Sequence, residues 1–267
     1  MTLRILVSAE DVLSATLARA LCDRVVYEAA AADWLRALWA PELRDTQRVW
    51  MGLSPDSDWA DRRLVEHLAA ARGLPGGVRA RETGRRRAPH GAARQAFRAM
   101  QLAAVLDPRP DVVLLAADTD GETPEGERFE VGVAMADVAL PAVAASFHRE
   151  SEAWVVSGFV PENAAERARL REVTDRLGFD PTLASERLMS DRMGDPRDAK
   201  WVARTLLGAG AGLAPLRARA QKCWAETPLD VLRARGRRNG LAAYCDALER
   251  VLLPRFGDTP RAALSPG

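Results

Sequence analysis

The fold is decided by the stretch DVVLLAADTDGE, which occupies residues 111–122. A single acid opens the stretch, six apolar residues follow without interruption, and the apolar run stops at DTDG. A continuous run of this length is typical of a strand that helices cover on both faces of a parallel sheet. We therefore predict a buried parallel strand over 111–117, with Asp118 and Asp120 at its carboxyl end.

Strands and helices alternate along the rest of the chain. The apolar segment LRILVS at residues 3–8 predicts a first strand, and residues 142–147 predict a third. Helical periodicity predicts helices from residue 11 onward and over 27–39, 58–72, 92–106, 127–140, 150–158, 166–177, the segment after Pro196 and two within 213–253. This alternation predicts an α/β fold with a mainly parallel central sheet flanked by helices.

Length and composition exclude several classes of protein. The chain has 267 residues, with 38 basic and 37 acidic side chains and a formal net charge of +1, which excludes a globally basic nucleic-acid binder. No apolar run reaches the roughly 18–20 residues that a membrane span needs. Three scattered cysteines and three histidines predict neither a disulfide framework nor a zinc site, and they fit a reducing cytoplasm.

Acidic residues follow two of the predicted strands. Glu10 comes shortly after the first strand, and Asp118 and Asp120 follow the apolar strand. Side chains at positions i and i+2 of an extended segment point the same way, so these two aspartates can face one spot. Carboxylates held close together require a cation, and hard oxygen donors favour Mg²⁺ or Mn²⁺. The alternative is that Glu10 and Asp118 cap strand ends and that DTDG is a tight turn.

This pattern of an acid after the first strand and DxD after a later strand resembles the TOPRIM domain of topoisomerases, primases and OLD-family nucleases. The segment HRESEAW at 148–154 is similar to the E-A-W segment of small stand-alone TOPRIM-like proteins, and DPRDAK at 195–200 stands where those proteins have a Pro-Lys or Asp-Lys motif. The resemblance implies that Glu10, Asp118 and Asp120 bind a divalent metal. It also implies that Glu152 is a further ligand or base and that Lys200 neutralises phosphate charge. The alternatives are a solvent-facing Glu152 and a surface Lys200.

A basic segment lies between the first strand and the apolar strand. Its arginines are Arg79, Arg81, Arg85, Arg86, Arg87, Arg94 and Arg98. Arginine forks match phosphates bidentately, so this segment is a candidate for binding a nucleic-acid backbone. The alternatives are a solvated loop and a surface for an acidic partner protein. A smaller set near the carboxyl end (Arg233, Arg235, Arg237 and Arg238) is interpreted as a helix-end cluster.

These features together predict an organisation and a function. We expect a TOPRIM-like α/β domain over 1–207, with a helical and Arg-rich insertion at about 28–100, and a helical C-terminal extension over 208–267. The expected activity is Mg²⁺- or Mn²⁺-dependent cleavage of phosphodiester bonds in the cytoplasm, with DNA favoured over RNA. The resemblance also implies a partner ATPase and a place in defence against phage. The alternative is a non-catalytic TOPRIM-like module that binds nucleic acid or a partner protein. A phosphatase on a doubly wound sheet is disfavoured because that type places DxD after the first strand.

Overall fold

The structure is a computed structural model. It describes residues 2–54, 56–74, 78–79, 86–87, 91–119, 138–190, 192, 194–208 and 213–258. The described chain divides into two compact units. The first unit holds the described residues up to Ala117, those in 138–146 and those from Tyr244 onward. The second unit holds Asp118, Thr119 and the described part of 147–243.

The described strands and helices alternate as the sequence predicts. The strands are β1 (Leu3–Ala9), β2 (Arg48–Met51), β3 (Ala60–Asp61), β4 (Val78–Arg79), β5 (Arg86–Arg87), β6 (Val112–Asp118) and β7 (Ala142–Phe147). The helices are α1 (Val12–Ala29), α2 (Asp33–Leu38), α3 (Arg44–Gln47), α4 (Arg62–Ala71), α5 (Gly91–Ala104), α6 (Ser151–Ser157), α7 (Ala164–Leu177), α8 (Ala199–Leu207), α9 (Leu213–Glu226), α10 (Leu229–Arg235) and α11 (Leu241–Leu252). Short 3-10 helices span Ser185–Arg187 and Leu253–Phe256. None of the described helices is both long and apolar enough to cross a bilayer.

A mainly parallel sheet forms the centre of the first unit. Its strand order is β2-β1-β6-β7, and β3 also pairs with β1. Strand β1 is parallel to β2, β3 and β6, and its register with β6 pairs Ile5 with Val112 and Ala9 with Ala116. The predicted α/β class with a mainly parallel sheet is therefore confirmed, and β1 and β6 are neighbours.

The sheet is buried because its strands are almost entirely apolar. Residues 112–117 of β6 are each at most 4% exposed. On α5, the buried residues Ala96, Phe97, Met100 and Ala103 recur at helical spacing and pack in one cluster with strand residues such as Leu115. Burial of this apolar surface is the main force that holds the helix on the sheet.

Polar contacts fix the first helix against the sheet. Asp11 is the N-cap of α1, and its carboxylate accepts a hydrogen bond from the Ser14 N–H at 2.7 Å. Further along α1, Asp23 accepts two hydrogen bonds from Arg48 on β2, at 2.6 and 2.7 Å, and both side chains are buried. This fork-to-fork pair orients β2 beside the helix.

Several sequence predictions are wrong in detail. The predicted helix over 27–39 is instead the end of α1 followed by the separate short helix α2. The insertion at about 28–100 is not purely helical, because β2 and β3 extend the sheet on β1. The two helices predicted within 213–253 are three, since Pro228 has no N–H to continue a helix and caps the start of α10. The helix predicted over 127–140 is not helical at 138–140, and its residues 127–137 lie outside the described chain.

The second unit is helical and has an aromatic core. The helices predicted at 150–158, at 166–177 and after Pro196 are confirmed as α6, α7 and α8. Trp154 on α6 is fully buried, and its ring lies 4.3 Å from the ring of Phe147 and 6.2 Å from that of Trp224, measured between centroids. The predicted boundary between residues 207 and 208 falls within this unit.

Candidate functional site

The two strands that carry the predicted acids end at one edge of the sheet. The register that pairs Ala9 with Ala116 places the carboxyl ends of β1 and β6 side by side, where parallel α/β sheets form their sites. Glu10, the residue after β1, accepts a hydrogen bond from Arg62 Nη1 at 3.0 Å. The carboxylate of Glu10 is thus partly neutralised within the first unit.

Asp118 is hydrogen-bonded to the first residue of α6. Its Oδ1 accepts a hydrogen bond from the Ser151 N–H at 3.0 Å. Glu150 occupies the N-cap position of α6 but makes no side-chain capping bond. Asp118 therefore supplies the acceptor that the first turn of a helix needs, and the helix dipole favours its negative charge. This contact matches the strand-end role considered as an alternative, and it also fixes Asp118 beside the HRESEAW segment.

Thr119, the residue after Asp118, also hydrogen-bonds to the segment that precedes α6. The N–H of Thr119 donates to the carbonyl oxygens of Phe147 and Arg149, at 3.0 and 3.1 Å. The Thr119 hydroxyl lies 3.2 Å from Nδ1 of His148. Burial and the positive charge of Arg149 lower the pKa of His148, which favours the neutral ring.

Lys200 lies among carboxylates in the second unit. It is the second residue of α8, where its N–H donates to Asp198, the N-cap of that helix, at 2.9 Å. Its ammonium group Nζ is 2.8 Å from Oε1 of Glu150. Partial burial would lower the pKa of Lys200, but the bond to Glu150 and the charges of Glu152 and Asp118 outweigh it and raise that pKa. Lys200 is therefore a charged side chain that is hydrogen-bonded to Glu150 and feels the negative charges of Glu152 and Asp118.

The structure thus brings together three of the sequence-predicted residues: Asp118, Glu152 and Lys200. It adds Glu150, which sequence reasoning missed. The signal was present, because HRESEAW contains two glutamates, but Glu152 drew the resemblance to E-A-W. Only the fold shows that Glu150 stands just before α6 and meets Lys200, a residue fifty positions away.

Several predicted residues fall outside what the structure describes. Asp120, Arg81 and Arg85 lie outside the described residues, as do the side chains of Arg79, Arg86 and Arg87. The backbone of 78–79 pairs with that of 86–87 as the antiparallel strands β4 and β5.

Two arginines of the basic segment contact groups of the first unit. Arg94 forms an ion pair with Glu66 at 3.1 Å. Arg98 is 9% exposed and donates to the carbonyl of Leu74 at 2.7 Å.

One arginine of the set near the carboxyl end of the chain has a structural role. Arg235 is half-buried, and its Nη1 donates to the carbonyl oxygens of Ser157 and Phe159, each at 3.1 Å. Ser157 is the last residue of α6 and Phe159 follows its C-cap, so the cation lies at the carboxyl end of the helix, where it is favourable. Arg235 therefore stabilises the carboxyl end of α6, the helix that carries Glu152.

The acids around Lys200 are hard oxygen donors. Asp118, Glu150 and Glu152 offer carboxylate oxygens, which suit Mg²⁺ or Mn²⁺ better than zinc. Across the part of the chain that the structure describes, no three Asp, Glu, His or Cys side chains are grouped closely enough to hold a metal ion. The predicted ligand Asp120 falls outside that part, so the described portion supplies Glu10, Asp118 and Glu152 of the predicted set.

Comparisons of this chain with protein-family models, curated proteins and solved structures gave no match. The resemblance to TOPRIM proteins therefore depends on the quoted motifs alone.

Proposed function

We propose that this protein is a Mg²⁺- or Mn²⁺-dependent nuclease that cleaves phosphodiester bonds. The observation that supports the proposal is the position of Lys200 beside Glu150, within the field of Glu152 and Asp118. A cation next to several carboxylates is what phosphodiester cleavage needs, because one group must hold a metal and another must balance phosphate charge.

In this proposal Asp118 and Glu152 bind the metal, and the participation of Asp120 and of Glu10 stays a prediction from the sequence. A bound Mg²⁺ or Mn²⁺ would polarise the phosphate and lower the pKa of a water molecule. The chain itself contributes the placement of its carboxylates: the hydrogen bond from the Ser151 N–H fixes Asp118 beside the first turn of α6, which carries Glu152.

Lys200 would meet the negative charge that develops on the phosphate. Its side chain is about half exposed, at 48%, so a substrate phosphate can approach the ammonium group. Glu150 holds that group at 2.8 Å and limits the positions that the long lysine side chain samples. The arginines of the basic segment from Arg79 to Arg94 would bind the nucleic-acid backbone, with DNA favoured over RNA. A partner ATPase remains part of the proposal by resemblance only.

The alternative is a non-catalytic module that uses the same fold to bind nucleic acid or a partner protein. The observation in its favour is that two predicted site acids already have structural partners. Glu10 pairs with Arg62, and Asp118 caps α6. A protein that needs these acids only for folding would show the same contacts.

The experiment that tests the proposal measures nicking of supercoiled plasmid, single-stranded DNA and RNA by the full chain with Mn²⁺ or Mg²⁺. The variants are Asp118→Asn, which keeps an oxygen to accept the Ser151 N–H, and Lys200→Met. Lys222→Met is the matched control because Lys222 is the other lysine of the chain, half exposed and paired with Glu162 in the same unit.

We expect metal-dependent nicking by the wild type and by Lys222→Met. We expect a loss of roughly 10²–10³-fold in Asp118→Asn and Lys200→Met, the usual effect of removing one electrostatic contributor to a transition state. If the wild type cleaves none of the three substrates with either metal, the nuclease proposal is rejected. Binding of nucleic acid without cleavage would then favour the non-catalytic module.

A further inference from the structure

Asn239 is a buried polar residue at the centre of the second unit. It lies between α10 and α11, and its exposure is 0%. Its backbone carbonyl accepts two hydrogen bonds, one from the indole Nε1 of Trp154 at 2.6 Å and one from the N–H of His148 at 3.0 Å. A fully buried asparagine requires partners for its polar atoms, so these bonds define a specific position.

The side chain of Asn239 also has its partners. Its Nδ2 donates to the hydroxyl oxygens of Ser157 and Ser185, at 2.9 and 2.8 Å. Its Oδ1 accepts from the N–H of Leu241 at 3.1 Å. The two serine hydroxyls lie 2.9 Å apart and share a further hydrogen bond. The amide therefore joins the end of α6, a 3-10 helix and the start of α11 in one satisfied network.

Taken together, these contacts hold both ends of one segment. His148 precedes the cluster residues Glu150 and Glu152, and Ser157 ends the helix that carries Glu152. The contacts reach across 82 to 91 positions of sequence, and they end on His148, Trp154 and Ser157 rather than on the acids themselves. Its influence on the carboxylates must pass through the segment 148–157.

We propose that Asn239 is a positioning residue that sets where α6, and with it Glu150 and Glu152, stand relative to Asp118. The proposal rests on the proposed function in one respect, since it becomes relevant to cleavage only if these carboxylates bind a metal. Removal of the Asn239 side-chain amide breaks the hydrogen bonds that link Ser157 to Leu241 through this residue. The Asn239 backbone carbonyl, which accepts from His148 and Trp154, then loses the side chain that holds it in position.

The experiment compares Asn239→Ala with the wild type by hydrogen exchange and by Mn²⁺ binding, followed by electron paramagnetic resonance of free Mn²⁺. Glu166→Gln is the matched control, because it removes a buried polar partner from the same unit without touching residues 148–157. We expect faster amide exchange within 148–157 in Asn239→Ala and unchanged exchange in α5 of the first unit. We also expect Mn²⁺ affinity to fall about 10- to 100-fold, as is usual when a group that supports a metal ligand is lost.

The outcomes separate this proposal from the nuclease proposal. If the wild type binds no Mn²⁺, the metal site is rejected, and the exchange rates alone decide whether Asn239 positions the segment. If Asn239→Ala leaves both exchange within 148–157 and Mn²⁺ affinity at wild-type values, the positioning role is overturned. If Glu166→Gln weakens Mn²⁺ binding equally, the effect is general destabilisation and the role is also overturned.

Should Asn239→Ala fail to fold, Ser185→Ala replaces it, because this change removes one partner of the Nδ2 group and keeps the asparagine. We expect the same direction with smaller changes. Wild-type behaviour of Ser185→Ala in both measurements would then count against the proposal.

Discussion

The ion pair between Glu166 and Arg219 offers a sharp test of the energetics of the second unit. Glu166 on α7 accepts hydrogen bonds from Arg219 Nε at 2.9 Å and from Nη2 at 2.8 Å, so the guanidinium and the carboxylate form a bidentate ion pair. Glu166 is 5% exposed, and one of its oxygens also accepts the N–H of Glu162 at 2.8 Å. We predict that Glu166→Gln, which preserves the shape but removes the charge, destabilises the protein.

The magnitude follows from these contacts. Breaking a buried ion pair by removing one partner costs about 3–5 kcal/mol, because the remaining charge is buried without a counter-charge. Arg219 keeps three polar partners after the change: the Glu162 carboxylate at 3.0 Å, the Val160 carbonyl at 2.6 Å and Sγ of Cys223 at 2.8 Å. We therefore expect the free energy of unfolding to fall by about 3 kcal/mol, the low end of that range.

The matched control is Glu162→Gln. Glu162 faces the same guanidinium, but its side chain is 36% exposed. Exposed ion pairs contribute about 0–1 kcal/mol, so this variant should stay within that margin of the wild type. The assay is urea unfolding at pH 7, followed by tryptophan fluorescence, which reports on the buried rings of Trp154 and Trp224.

The pH dependence gives the refuting result. The hydrogen bonds from Arg219 are the largest cause that lowers the pKa of Glu166 from 4.5. A carboxyl with a lowered pKa in the folded state stabilises the protein above its unfolded pKa, and this contribution is lost as pH falls through the folded pKa. The difference between wild type and Glu166→Gln should thus be constant from about pH 6 to 8 and shrink below about pH 4.5. A difference under about 1 kcal/mol at pH 7, or one that persists unchanged to about pH 3, would refute the reasoning.

Two further substitutions test packing and a buried hydrogen bond by thermal unfolding. Gly158→Ala would place a Cβ 2.7 Å from Nε1 of Trp224, so we expect a loss of about 1–3 kcal/mol from overpacking. Tyr244→Phe removes the hydroxyl that donates to the Ala18 carbonyl at 3.0 Å in a buried site, and we expect a loss of about 1–3 kcal/mol. Trp34→Ser is the surface control for both, because Trp34 is 52% exposed and its replacement should change stability by less than about 0.5 kcal/mol. An unchanged melting temperature in either test variant would contradict the corresponding contact.

Local patterns predicted the strands and helices that are strongly periodic. The apolar runs before Ser8 and Asp118 are strands because they are buried on both faces, and Asp11 caps α1 through a bond to a residue three positions away. Such features depend on neighbours in the chain. Sequence spacing was therefore enough to predict the α/β class and the adjacency of acids to strand ends.

The segment 28–100 shows where spacing was insufficient. The short stretch RVWM of β2 has no strand signature of its own and becomes a strand by pairing with β1, more than forty positions away. The pairing of Glu150 with Lys200 and the network of Asn239 are likewise invisible in the sequence. Each joins residues fifty or more positions apart.

The sequence by itself determined the class of the fold, the burial of β1 and β6, and the acids that follow them, because hydrophobic periodicity and capping are properties of consecutive residues. The tertiary structure alone decided which side chains meet. It brought Lys200 to Glu150 and placed Asp118 at the start of α6. It also hydrogen-bonded Asn239 to Trp154, on the helix that carries Glu152. The physical reason is that hydrogen bonds and ion pairs act over about 3 Å, a distance that only folding creates between remote parts of a chain.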